Sequence, residues 1–170
     1  MRIAFYLYSL LAAAGIYVSE LLIEVHLQAS YGKGGDTGVC GAADGFSCAD
    51  AANSVFAELG GLPIAALGMA FYIAVLVMAA VARFREQTRP ALADTFLLGG
   101  TLAVLYSVFL AVVSAVYVGK FCPLCMGLYA VNLGLFATAL ATHPAKLRGL
   151  AQMWRAPARG PFWATVGVPA

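Results

Sequence analysis

The 170-residue chain is 62% apolar and 11% charged, with a mean hydropathy of +0.87, values far from those of soluble domains. A soluble enzyme is thereby excluded, and a formal charge of +2 is too small to argue for a nucleic-acid partner. What remains is an integral membrane protein whose charges inform by their placement.

Crossing a hydrocarbon core takes about 20 residues of helix, and four stretches meet that length: residues 3–22, 62–82, 96–119 and 122–141. Arg2, Arg83, Arg85, Arg89, Lys146, Arg148, Arg155 and Arg159 flank one side of the bundle these would form, whereas the other side holds only Lys33 and Lys120. The positive-inside rule then places both termini and the 83–89 loop in the cytoplasm, with all four cysteines outside. The expected fold is all-α. An integral membrane four-helix bundle occupies residues 1–142, an extracytoplasmic loop carries a short amphipathic helix, and residues 143–170 form a cytoplasmic tail.

In chain order, the first stretch imitates a secretory signal through Arg2, its apolar run and Ala12-Ala13-Ala14. The run continues through Ile16, Val18, Leu21 and Leu22, which favours a retained helix over a cleaved leader. Glu20 and Glu24, four residues apart at its outer end, read as solvated by headgroup water, and His26 as an interfacial residue. Six glycines between residues 32 and 45 make a loop with little intrinsic order around Cys40. A short helix then follows, opened by Ser47 with Asp50 as a capping box, continued by Ala52, Val55, Phe56 and Leu59, and ended by Gly60-Gly61. Cys48 falls in its first turn, where a helix N-terminus favours a thiolate.

Phe71, Tyr72 and Tyr106 in the second and third spans read first as packing residues, although Phe71 shares a face with Gly68 and Ile64. The fourth span opens with Cys122-Pro123-Leu124-Cys125. Proline at the first helical position puts Cys122 at the cap, with the same stabilisation of a thiolate. At 100° per residue Cys122, Cys125, Tyr129 and Asn132 share an arc of roughly 80°, so this face points inward. The tyrosine and the amide below a reactive sulfur suit a ligand that carries carbonyl oxygens, or they bond between helices. The Pro- and Gly-containing stretch from His143 to Ala170, with Trp154 and Trp163, reads as the tail.

The cysteines thus form two pairs, Cys40/Cys48 and Cys122/Cys125, at one edge of the bilayer, which suggests a relay for electrons. A C-x-x-C alone is ambiguous. A thioredoxin site needs a βαβ context that is missing, whereas a closed zinc site and a purely structural pair of disulfides both stay open. Against zinc stand the eight-residue separation of Cys40 and Cys48 across a glycine-rich loop and an oxidising compartment. A thiol-based metal-ion transporter is the alternative from another class, and four sulfurs clustered at one surface argue against it.

The Cys40-x7-Cys48 spacing, Ser54 six residues later, the run Gly61-Leu62-Pro63-Ile64-Ala65-Ala66-Leu67-Gly68, and Cys122-Pro123-Leu124-Cys125 followed by Tyr129-Ala130-x-Asn132 together resemble the vitamin K epoxide reductase family, particularly its bacterial members. The resemblance covers roughly residues 5–142. It implies a quinone-dependent thiol–disulfide oxidoreductase of the bacterial inner membrane, with its cysteines facing the periplasm, that supports disulfide bond formation. Cys40 would exchange with a thioredoxin-like periplasmic partner, Cys48 would carry the exchange to Cys122, and Cys125 would face the quinone, ubiquinone or menaquinone. Ser54, Ile64, Gly68, Phe71, Tyr129 and Asn132 are the expected quinone-pocket residues. Vertebrate members place an asparagine where this chain has Ile64, a departure that weakens the case for vitamin K epoxide and leaves quinone reduction standing. The tail is too short for the thioredoxin domain that some bacterial relatives carry, so the partner is expected as a separate chain.

Overall fold

The computed structural model of the chain describes residues 2–30, 32, 40 and 45–143, apart from the side chains of Arg2, Glu86 and Pro90. Most of the glycine-rich stretch around Cys40, and the expected tail beyond His143, lie outside the described residues. The protein is an all-α membrane bundle. Its long helices are α1 (Arg2–Ser30), α3 (Ile64–Phe84), α4 (Arg89–Val113) and α5 (Pro123–Thr142), each with a segment long and apolar enough to cross a bilayer.

Helix α1 runs eight residues past the expected end at residue 22. Its 29 residues reach about 43 Å at 1.5 Å per residue, against a hydrocarbon core of about 30 Å. The last two turns therefore stand in the interface, where Glu24 and Gln28 pair across one turn at 3.2 Å. Helix α4 continues into a turn of π-helix, Ser114–Val118, which ends at Gly119 in the left-handed conformation.

The expected helix from Ser47 to Leu59 is much shorter than its sequence suggests. Helix α2 spans Cys48–Ala52, and Asn53 caps it. The Ser54 hydroxyl donates to the Ala51 carbonyl at 2.8 Å, turning the chain away from the helix axis. A hairpin follows instead of the expected last turns: β1 (Glu58–Leu59) pairs antiparallel with β2 (Leu62–Pro63). Gly60 and Gly61 both have positive φ, the requirement of a two-residue hairpin turn, so this glycine pair reverses the chain rather than ending a helix.

Packing is uneven around the bundle. Helix α1 lies along α3 and α5, and α4 along α5, whereas α3 and α4 touch little. Close approach of α1 and α3 depends on Gly15, because a methyl group there would lie 2.5 Å from the Tyr72 ring. One core cluster, with Tyr8, Ala12, Tyr72, Phe96, Leu97 and Leu135, fills the bundle away from the sulfurs. A second, built on Val25, Cys40, Cys48 and Cys122, surrounds the sulfurs themselves.

Candidate functional site

Cys40 and Cys48 form a disulfide, and Cys122 and Cys125 are thiols. Cys48 is the first residue of α2, whose N-cap Ser47 accepts a hydrogen bond from the Asp50 amide at 3.1 Å. Cys122 is the N-cap of α5 and takes the cap's role with sulfur, its Sγ accepting from the Cys125 amide at 3.3 Å. These two helix starts face each other and bring Cys122 Sγ to 3.3 Å from Cys48 Sγ. Three sulfurs thus lie in succession within reach of one another, and the fourth, Cys125, is in the first turn of α5.

The juxtaposition is held by the backbone. The Ser47 amide donates to the Phe121 carbonyl at 3.1 Å and the Phe121 amide to the Gly45 carbonyl at 3.0 Å, a short parallel bridge immediately before both cysteines. Beside it the Lys120 ammonium meets the Asp50 carboxylate at 2.8 Å. Hydrogen bonds from Lys120 first, and then Ser47, hold the Asp50 carboxyl below the usual carboxylate range. A five-residue helix has no stability of its own, so these contacts keep α2 in register with α5.

Cys40, Cys48 and Cys122 are 0%, 1% and 2% exposed. Bonded to Cys48, Cys40 is packed in the cluster with Val25, Leu22 and Leu124, so an outside thiol reaches it only after it is uncovered.

Between α3 and α4, where those helices part, lies a cavity of about 340 Å³, within the range of small-molecule sites. Six expected quinone-pocket residues line it: Ser54, Ile64, Gly68, Phe71, Tyr129 and Asn132. Cys48 and Cys125 lie on its wall, and Cys40 and Cys122 do not. The rest of the surface is mostly aliphatic and aromatic. Leu67 and Tyr106 on its rim are exposed, so the wedge opens on the lipid-facing flank.

The polar groups on the wall are not all available to a ligand. The Tyr72 hydroxyl donates to Asn132 Oδ1 at 2.7 Å, and Asn132 Nδ2 donates to Ser107 Oγ at 2.9 Å. This chain ties α3, α5 and α4 together beneath the cavity, so the interhelical role weighed for Asn132 is present alongside its place on the wall. Tyr129 stands beside Ser114, and the Ser54 hydroxyl, its one proton given to the Ala51 carbonyl, must turn from that bond before it can donate to a ligand oxygen. An apolar ring system that carries an oxygen acceptor for the Tyr129 hydroxyl fits this largely apolar wall.

Tyr72, Tyr106 and Ser107 join the wall although the sequence marked the aromatics as packing and Ser107 not at all. His26 is a larger surprise. It is buried, lines the cavity, and bonds through Nε2 to Glu58 Oε1 on β1 at 3.0 Å. Helical continuity past residue 22 is the one sequence signal that would have found it.

Comparison with known proteins matches residues 6–140 to the model of the vitamin K epoxide reductase family. No match was found among curated protein sequences. The chain belongs to the vitamin K epoxide reductase family, and is a membrane oxidoreductase of thiols and disulfides.

Proposed function

From that membership and the sulfur geometry, we propose that the protein takes electrons from a separate thioredoxin-like carrier and passes them to a membrane quinone, so supporting disulfide bond formation. The observation that carries the reading is the 3.3 Å approach of Cys122 to Cys48, with Cys48 bonded to Cys40 and Cys125 on the cavity wall. On this reading the bundle is residues 1–142 and the rest a cytoplasmic tail. Both termini are cytoplasmic, the sulfurs face the periplasm, and the membrane is a bacterial inner membrane. The arginine distribution supports that orientation.

Each step conserves atoms and electrons. A carrier thiolate attacks Cys40, the Cys40–Cys48 bond breaks, and the carrier's second thiol closes its own disulfide, leaving Cys40 and Cys48 as thiols. Cys48 as thiolate attacks Cys122 of an inner disulfide and displaces Cys125. Cys40 then attacks Cys48, restoring the outer disulfide and leaving Cys122 and Cys125 as thiols. When these two close their disulfide they release two electrons and two protons. A bound quinone supplies the two-electron acceptor. Tyr129 would donate to one of its oxygens, and Ser54 to the other on turning its hydroxyl from the Ala51 carbonyl, with Ile64, Gly68 and Phe71 shaping the apolar walls. The redox pattern in the structure, outer pair bonded and inner pair as thiols, matches the stage at which the inner pair is ready to be oxidised.

The test is anaerobic quinol formation by purified protein with a reduced thioredoxin-like donor, using ubiquinone or menaquinone and comparing wild type with Cys125→Ala. Turnover that disappears in the variant supports the reading. No turnover of either quinone by wild type would sink it.

A further inference from the structure

Resting on the quinone reading, one feature of the cavity assigns work to a residue outside the sulfur relay. Reducing a quinone to a quinol places two protons on oxygens at opposite sides of the ring. Of the two thiols that lose protons, only Cys125 lies on the cavity wall, while Cys122 is 2% exposed and its sulfur is turned to Cys48. One proton therefore has a direct donor in the cavity and the second does not.

His26 stands on the same wall. No Asp, Glu, Lys or Arg is among the described residues that line the cavity. The other titratable groups there are Tyr72 from α3, Tyr106 from α4, and Cys125 with Tyr129 from α5, phenols and a thiol that are not ordinary neutral-pH proton carriers. Cys48, on the α2 side, is locked in its disulfide. Behind the imidazole, Glu58 holds Nε2 at 3.0 Å, and its own side chain is 48% exposed. Glu58 thus connects a buried imidazole in the cavity wall with water at the sulfur-bearing end of the bundle.

We propose that His26, backed by Glu58, is the proton relay of the quinone cavity. As Cys122 and Cys125 close their disulfide, two electrons leave the sulfurs. The Cys125 proton goes to one quinone oxygen and a proton from His26 to the other. His26 is then reprotonated from water by way of Glu58, and the Cys122 proton is released to that same water. The count closes, with one proton in through His26 and one out from Cys122. Glu58 is a positioning residue that keeps the imidazole oriented and supplied.

The experiment uses the full chain in lipid nanodiscs under anaerobic conditions, with a small dithiol as donor and a short-chain quinone as acceptor, from pH 5.5 to 8.5. Wild type, His26→Gln and Glu58→Gln are compared, with the Cys40–Cys48 disulfide and thermal unfolding as checks on folding. His26→Gln is expected to lower kcat about a hundredfold, the lower end of the range for loss of a general acid. It should also lose the inflection in the pH profile and regain rate with added imidazole. Glu58→Gln, at a side chain that is 48% exposed, should shift that inflection and lower kcat less. Wild-type kcat and inflection in both variants would overturn the relay. So would a rise in KM alone with the inflection kept, since His26 would then only shape the wall. Absence of quinol from wild type would instead remove the quinone reading on which the relay rests.

Discussion

Two buried histidines in this protein each bond to a carboxylate, one at each end of the bundle. His26 reaches Glu58 at 3.0 Å and His143 reaches Asp94 at 2.7 Å. The pairs are chemically alike, and their surroundings are not. His26 lines the wedge between α3 and α4 together with Cys48, Cys125 and the tyrosines Tyr72, Tyr106 and Tyr129. His143 ends α5, its amide bonded to the Ala139 carbonyl, beside the close-packed cluster that includes Leu92, Phe96 and Ala139. A buried histidine with a carboxylate is therefore no sign of chemistry by itself. On the proposed relay, what sets the two apart is that His26 shares a cavity with a sulfur and His143 does not line it.

The largest effect should come from the sulfur shared by both halves of the relay. Cys122→Ser removes the atom 3.3 Å from Cys48 and the partner of Cys125, so turnover with a protein donor and with a small dithiol should both vanish. Cys40→Ser should separate them. Exchange with the protein donor stops, while small-dithiol turnover through Cys122 and Cys125 persists. Loss of both activities in Cys40→Ser, with the protein still folded, would mean that the outer pair does more than deliver electrons.

Next in size is a pair of glycine substitutions that read the contrast between the open and the packed end. Gly68 lines the cavity, and a methyl group there would meet only ordinary contacts, the nearest Ser19 Oγ at 3.6 Å. Gly100 is buried on α4, and a methyl group would lie 3.1 Å from the Phe136 backbone. Gly68→Leu should leave unfolding unchanged and cut quinone turnover at least about tenfold by filling the site. Gly100→Ala should lower stability by about 1–3 kcal/mol through overpacking, with turnover intact below the unfolding transition. Thermal unfolding and quinol formation measured on both would show whether the cavity is a site or slack packing. Equal losses of stability would remove the distinction.

Much of this was legible in the sequence. Four apolar runs of spanning length and a Cys-Pro pair at the start of the last one fix the bundle and the cap that presents Cys122. What stayed hidden has identifiable causes. A hydropathy window stops where apolar residues stop, at residue 22, but α1 continues because Glu24, Gln28 and Ala29 are good helix formers stitched at i,i+4. His26 is carried inward by that continuation, where hydropathy assigned it to the interface. Gly60-Gly61 satisfies both a helix stop and a hairpin turn, and pairing of Leu59 with Leu62, a tertiary choice, decides between them. The cavity itself has no local signal, since it arises from how far α3 and α4 stand apart.

A smaller effect is expected from the pair that aligns the sulfurs. Asp50→Asn or Lys120→Gln removes a half-exposed, salt-screened contact, so donor-driven turnover should fall about two- to fivefold, the range for an exposed ion pair. Small-dithiol turnover skips the Cys48 to Cys122 step and should hold. The sign with pH follows from the depressed Asp50 carboxyl. Its contribution is present above the unfolded value of about 3.9 and is lost as pH falls through the lower folded value. The deficit of Asp50→Asn should thus be constant from pH 5.5 to 8.5, unlike that of His26→Gln. A charge-exchanged double variant that restores the rate would show that the attraction itself, rather than either side chain, sets the register.

The smallest functional effect is predicted at the second histidine, and it bears most directly on the opening contrast. His143→Asn breaks the bond to Asp94 at the closed end, about 1 kcal/mol for one hydrogen bond, and should appear in thermal unfolding. The pH profile of quinone turnover should match wild type, because neither His143 nor Asp94 lines the cavity that Cys125 faces. If His143→Asn flattened the inflection of the pH profile as His26→Gln is expected to, that inflection would report a proton-linked property of the whole bundle. The location of His26 on the cavity wall would then explain nothing about the reaction.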